Sequence, residues 1–114
     1  MGKFIISKRK NGEFQFTLKA SNGQAILSSE GYKTKTNCLK GIASVQKNAL
    51  NEKRFEKKTS SNGKHYFNLK ASNGQVIGSS QMYASEGSCD KGIDSVQTNA
   101  PQAVTDDQSA AVPA

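Results

Sequence analysis

The sequence predicts an α+β protein made by tandem duplication of a β-β-β-α(-β) unit. The two copies are expected to form one mostly antiparallel sheet with two helices packed on one face, related by a pseudo-two-fold axis. Two observations carry this expectation. First, the chain repeats at an offset of 51 residues: Asn11-Gly12-Glu13-Phe14-Gln15-Phe16-Thr17-Leu18-Lys19-Ala20-Ser21-Asn22-Gly23-Gln24 returns as Asn62-Gly63-Lys64-His65-Tyr66-Phe67-Asn68-Leu69-Lys70-Ala71-Ser72-Asn73-Gly74-Gln75. The run from Cys38 to Ala49 likewise returns from Cys89 to Ala100. Second, apolar residues inside each copy recur first at a period of two and then at the helical period, so strands precede a helix. A unit of about 50 residues buries too little surface alone, which favours one core shared by both copies.

Lys3–Lys8 and Arg54–Lys58 are the first-strand candidates, each followed by a turn containing Asn11-Gly12 or Asn62-Gly63. In the second strand Phe14, Phe16, Leu18 and Ala20 alternate with Glu13, Gln15, Thr17 and Lys19. Such alternation marks a strand with one buried face. Its copy places His65, Phe67, Leu69 and Ala71 inward and Lys64, Tyr66, Asn68 and Lys70 outward. Ser-Asn-Gly-Gln then signals a hairpin. A two-residue turn would pair Lys19 with Ile26, whereas a three-residue loop with Gly23 left-handed pairs Leu18 with Ile26 and keeps apolar residues together. The third strands are therefore expected near Gln24–Ser29 and Gln75–Ser80.

Beyond Thr34 and Ser85 the pattern becomes helical. Cys38, Ile42, Val45 and Ala49 fall within about 40° on a wheel, as do Cys89, Ile93, Val96 and Ala100. Thr34 or Thr36, and Ser85 or Ser88, are the candidate N-caps. Pro101 closes the second helix. Ala103-Val104-Thr105 has enough β character for a short closing strand on the other copy's sheet. Residues 1–52 thus form the first repeat and 53–106 the second, while the small and polar 107–114 are expected to be a disordered tail.

The chain has 114 residues and a formal charge of +7. Residues 1–52 carry nine Lys/Arg against Glu13, Glu30 and Glu52, and residues 53–114 carry seven against six. A positive surface favours an acidic protein or nucleic acid as partner. No stretch approaches the roughly 18 apolar residues of a membrane span. The run after Met1 is too short for a secretory signal, and Ile6 stands where a myristoylation motif has Ser or Thr. The expectation is a soluble, cytoplasmic monomer with two pseudo-symmetric halves and no membrane partner.

These motifs resemble the YegP-like family of small bacterial proteins in its duplicated form. The resemblance rests on Asn-Gly-x-x-x-Phe-x-Leu-Lys-Ala-Ser-Asn-Gly-Gln, Tyr-x-(Ser/Thr) before the helix, and Lys-Gly-Ile-x-Ser-Val-Gln-x-Asn-Ala within it. Each occurs twice, and together they cover residues 1 to 105. The resemblance implies β-β-β-α-β repeats in a single sheet with exchanged C-terminal strands. That family has no established activity, so it supplies no catalytic residues.

The residues themselves point the same way. Cys38 and Cys89 lie at the centre of each buried helix stripe, with no CxxC and one histidine in the chain, which reads as packing rather than metal or redox chemistry. His65 takes the place of Phe14 and is expected to be a packed ring, with no Ser/Asp arrangement around it. No glycine run has the strand–loop–helix order of a phosphate cradle. No catalytic residue, metal site or cofactor is assigned.

Gly41 and Gly92 sit mid-helix at a cost of roughly 1 kcal/mol each. With Ser44 and Ser95 they form a flank of small residues, expected either to pack closely on the sheet or to bring the two helices side by side. The opposite flank diverges: Lys35, Leu39, Ala43 and Lys47 become Glu86, Asp90, Asp94 and Thr98. A candidate surface for an anionic partner comprises Lys8, Arg9, Lys10, Lys19, Lys53, Arg54, Lys57, Lys58, Tyr66 and Lys70. The reading is a non-catalytic interaction module. The alternatives are a weak electrostatic nucleic-acid binder and, less favoured, a small enzyme.

Overall fold

The computed structural model describes residues 2–109. The chain forms β1 (Lys3–Lys8), β2 (Phe14–Lys19), β3 (Ala25–Ser28), α1 (Lys35–Asn48), β4 (Phe55–Thr59), β5 (His65–Lys70), β6 (Val76–Ser79), α2 (Glu86–Asn99) and β7 (Val104–Asp107). The strands make one seven-stranded sheet in the order β4-β5-β6-β3-β2-β1-β7. Each repeat contributes an antiparallel three-stranded meander, and the two meanders join where Ser28 pairs with Ser79. Among the described residues only the β1–β7 pairing is parallel.

Both helices start where their sequence supplies a cap. Thr34 Oγ1 accepts a hydrogen bond from Asn37 N–H at 3.1 Å, and Ser85 Oγ accepts one from Ser88 N–H at 3.1 Å. These bonds satisfy donors that the first helical turn leaves free. The helix stripes bury Cys38, Ile42 and Val45, and Cys89, Ile93 and Val96, against Phe16, Leu18, Phe67 and Leu69 of the central strands. Each fully buried phenylalanine contributes roughly 1.5–3 kcal/mol relative to exposure, so the sheet face provides much of the cohesion.

The hairpin loop is as expected but the pairing beyond it is not. Ala20 N–H donates to Gln24 C=O at 2.9 Å and Gly23 has φ 84°, which gives the three-residue loop with a left-handed glycine. Leu18 then pairs with Leu27 rather than Ile26, while Lys19 pairs with Ala25. Ile26 is the extra residue of a β-bulge. The bulge turns two consecutive side chains inward, Ile26 at 5% and Leu27 at 1% exposure, where strict alternation would place one on the open face. In the second copy Leu69 pairs with Gly78, not Ile77, for the same reason.

Gly41 and Gly92 do not join the helices. A Cβ on Gly41 would lie 2.8 Å from Tyr32 Cζ and 3.1 Å from Phe16 Cε2, and one on Gly92 would lie 2.7 Å from Tyr83 Cζ and 3.1 Å from Phe67 Cε2. Each glycine makes room for the tyrosine stacked on its own repeat's phenylalanine. Ser44 and Ser95 are engaged within their own helices, accepting at their carbonyls from Asn48 Nδ2 and Asn99 Nδ2 at 2.8 Å. The halves are tied at the helix ends instead. Gln46 Nε2 donates to Ala100 C=O at 3.2 Å, and Gln97 Nε2 donates to Ala49 C=O at 3.2 Å.

The closing strand falls on the other repeat's sheet, as expected, but extends further. β7 includes Asp107, and Gln108 N–H donates to Ile6 C=O at 2.9 Å, so residue 107 belongs to the sheet and not to a tail. Residues 110–114 of the expected tail lie outside the described residues. The strand exchange implied by the resemblance occurs on one side. The segment after α2 crosses to β1, whereas the segment after α1 becomes β4 itself.

Candidate functional site

The two edges of this sheet are not equivalent, although β1 and β4 occupy equivalent places in the repeats. In β1, Arg9 N–H donates to Glu13 C=O, which sets Lys3, Ile5 and Ser7 to bond toward β2. Phe4 and Ile6 therefore direct their backbone groups the other way, onto β7. In β4 the equivalent bond from Ser60 N–H to Lys64 C=O sets Glu56 and Lys58 toward β5. Lys57 and Thr59 then point their N–H and C=O groups off the sheet, where no strand of the described residues follows; the Phe55 C=O does the same, while its N–H donates to Glu52 C=O in the preceding turn.

The side chains register the difference. Phe4 and Ile6 are fully buried beneath β7, while Phe55 is only half-buried and Lys57, which replaces Ile6, is exposed. On the covered side Lys35 Nζ meets Asp107 of β7 at 2.8 Å. That lysine and the neighbouring Ser109 hold the Asp107 carboxyl down at about 2. On the vacant side Glu86 stands in the place of Lys35. Lys57 Nζ reaches up to Glu86 Oε1 at 3.1 Å and Asp90 Oδ1 at 3.0 Å. These carboxylates raise the Lys57 ammonium above its usual range. Between β4 and α2 remains a groove of about 390 Å³, floored by Phe55 and Ile93 and rimmed by Glu52, Lys57, Asp90 and Asp94.

The basic residues singled out in the sequence do not converge. Lys8, Arg9 and Lys10 lie at the β1–β2 turn, and Lys57 and Lys58 lie on β4 at the far edge of the sheet. Lys8 Nζ lies 5.5 Å from the Phe14 ring centroid, on the helix side. Arg9 pairs with Glu13 at 3.8 Å, and Lys58 and Lys70 both pair with Glu56, at 3.4 and 3.0 Å. These two lysines keep the Glu56 carboxyl below its ordinary range. Tyr66 sits opposite Lys58 on the uncovered sheet face, and Lys19 sits opposite Lys3 in the other half. Lys53 and Arg54 occupy the short 3-10 turn that leads into β4.

The two cysteine thiols are packed away. Cys38 and Cys89 are free and fully buried; burial pushes the Cys38 thiol up to about 11 and raises Cys89 as well. A nucleophilic cysteine needs the opposite shift. Burial likewise raises Tyr32 and Tyr83. His65 is half-buried and pairs through its backbone with Tyr83, as Phe14 pairs with Tyr32. Among the described residues no group of three or more His, Cys, Asp or Glu is arranged to hold a metal ion. No helix among them is long and apolar enough to cross a membrane.

Sequence reasoning noted the charge exchange along the helices but not the edge that it faces. The readable signal was Ile6 becoming Lys57, a charge on the inward-facing side of a first strand, which marks the edge that β7 does not cover.

Comparison with known proteins gives a consistent picture. The family model described as "Domain of unknown function (DUF1508)" matches twice, over residues 10–56 and 60–107. The UPF0339 protein in the ptx operon 5' region of Stutzerimonas stutzeri is 60% identical over 102 residues, 90% of this chain and 92% of that protein. UPF0339 protein YegP of Escherichia coli K12 is 58% identical over 98 residues, 86% of this chain and 89% of that one. The solution NMR structure of yegP from E. coli, a protein of unknown function, is similar with a TM-score of 0.91 at 53% identity, covering 96% of this chain and 94% of that one.

Proposed function

The chain belongs to the DUF1508 family and carries its domain twice, and from that premise we propose that it is a non-catalytic interaction module that binds a partner at the divergent edge of its sheet. The observation that carries this reading is the vacancy beside β4. One copy's first strand is covered by β7 and the other's is open, and the exchanges Ile6/Lys57, Lys35/Glu86, Leu39/Asp90 and Ala43/Asp94 place charge around the open one. An unpaired strand edge is a ready site for adding a further strand.

The electrostatic nucleic-acid reading draws less support. The cations lie at opposite edges, and Arg9, Lys57, Lys58 and Lys70 are engaged with carboxylates of the same chain. The Lys8-Arg9-Lys10 turn is the part of the surface best suited to an anionic partner. Affinity capture with the full chain at moderate salt, with and without nuclease, separates the readings. The interaction-module reading expects a protein partner that survives nuclease. Capture that disappears with nuclease and falls steeply with salt would overturn it in favour of nucleic acid.

A further inference from the structure

We propose that the edge of β4 receives an extended segment of a partner protein, laid parallel to β4 and presenting lysine or arginine toward α2. This rests on the interaction-module reading and names its partner's chemistry.

The chain itself holds the precedent. β7 lies parallel on β1 with Val104 beside Lys3 and Asp107 beside Ile6, and its Asp107 faces the lysine at the start of α1. Carried over by the repeat, a strand on β4 would run beside Arg54–Lys57, and its fourth residue would face the start of α2. Lys57 already directs its N–H and C=O groups, and Phe55 its C=O, toward that strand, while the Phe55 N–H is held by Glu52 C=O in the turn before β4. The groove above Phe55 and Ile93 is the space that the strand's helix-facing side chains would fill.

Charge selects the occupant. The helix positions facing the covered edge are Lys35, Leu39 and Ala43, whereas those facing the vacant edge are Glu86, Asp90 and Asp94. Lys57 compensates one of the two carboxylates it touches. Among the described residues Asp94 and Glu52 have no ion pair. On a chain of net charge +7 this groove is locally acidic. A second copy's β7 is a poor occupant, because its Asp107 would come against Glu86. A purely apolar strand is also disfavoured, since it would bury Lys57 with its carboxylates and satisfy none of the surplus charge. A segment with helix-facing cations meets both the backbone and the charge.

The test uses the full chain, isotope-labelled, and two synthetic peptides spanning residues 102–109. One has the natural sequence and the other carries Asp106→Lys and Asp107→Lys. The lysine peptide is expected to shift amides of residues 55–59 and 86–94 on titration and to bind at least about tenfold more tightly than the natural one. Lys57→Pro removes the outward N–H without removing a ladder bond, since proline is tolerated at such edge positions. It is expected to weaken the lysine peptide about tenfold or more. Glu86→Gln/Asp90→Asn/Asp94→Asn leaves the strands untouched and is expected to do the same, which keeps the proposal testable if the proline variant does not fold. Equal or tighter binding of the natural peptide, or shifts confined to β1 or the open sheet face, would overturn it. If neither peptide binds, and nuclease-resistant capture of a protein is unchanged by Lys57→Pro, the edge assignment falls while the interaction-module reading stands.

Discussion

Leu27 and Gly78 occupy equivalent positions in the two repeats, and only one of them can carry a large side chain. A Cβ built on Gly78 would lie 2.7 Å from Leu27 Cδ2 and 2.8 Å from Leu27 Cγ. Leu27 is 1% exposed and cannot retreat. The space near the pseudo-axis therefore holds one leucine contributed by one copy. Gly78→Leu should overpack it, a cost of about 1–3 kcal/mol that can rise where neighbours are immobile. Leu27→Gly should empty it. Truncation to alanine alone costs about 2–5 kcal/mol by lost transfer energy and residual cavity, and glycine in a strand adds about 0.5–1 kcal/mol.

The exchanged double variant Leu27→Gly/Gly78→Leu restores one leucine to the same space from the opposite strand. It should lie within about 1.5 kcal/mol of the parent, the usual range for volume-conserving changes. The coupling between the two positions is then about 2 kcal/mol or more in favour of the exchange, a size reached only by residues in contact. Urea unfolding followed by far-UV circular dichroism measures all four proteins. If the double variant were as unstable as the sum of the singles, the shared-space reasoning would be refuted.

Three further outcomes are expected. Gly41→Ala and Gly92→Ala should lower thermal stability despite alanine's higher helix propensity, because the new methyl meets the tyrosine ring, whereas Gly87→Ala, with open space at its Cβ, should raise stability by up to about 1 kcal/mol; equal effects at all three sites would contradict the packing. Asp107 is depressed from 3.8 to about 2, so the folded state binds fewer protons than the unfolded one between those values. Its contribution is present above the unfolded value and lost as pH falls through about 2; Lys35→Met should raise the Asp107 carboxyl in an NMR titration, and an unchanged midpoint would exclude the ion pair as cause. Cys38 and Cys89, buried with raised thiols, should react with a thiol-specific disulfide reagent at neutral pH only after denaturation; rapid labelling of the native chain would contradict their burial.

Much of this architecture is local and was therefore readable. The alternation from Phe14 to Ala20, the stripe from Cys38 to Ala49, the caps Thr34 and Ser85 and the left-handed Gly23 each depend on residues within one or two turns of chain. The duplication tests every such reading twice. The repeat also exposed the charge exchange between α1 and α2, which is half of the candidate site.

The other half depended on distant partners. Alternation predicts Leu18 opposite Ile26, but core volume is filled better by a bulge that turns Ile26 and Leu27 inward together. The glycine flank of each helix reads equally well as a helix–helix or a helix–sheet contact until Tyr32 and Tyr83 are in place. The β4 edge exists because one connecting segment can be either the end of the first repeat or the start of the second, not both. By itself the sequence determined the elements, their order and which face each buries, since these follow from periodicity and turn chemistry. Tertiary structure alone decided that β7 runs parallel to β1 in a register that sets Asp107 against Lys35, and that the uncovered β4 edge faces the carboxylates of α2, because these contacts join residues far apart in sequence.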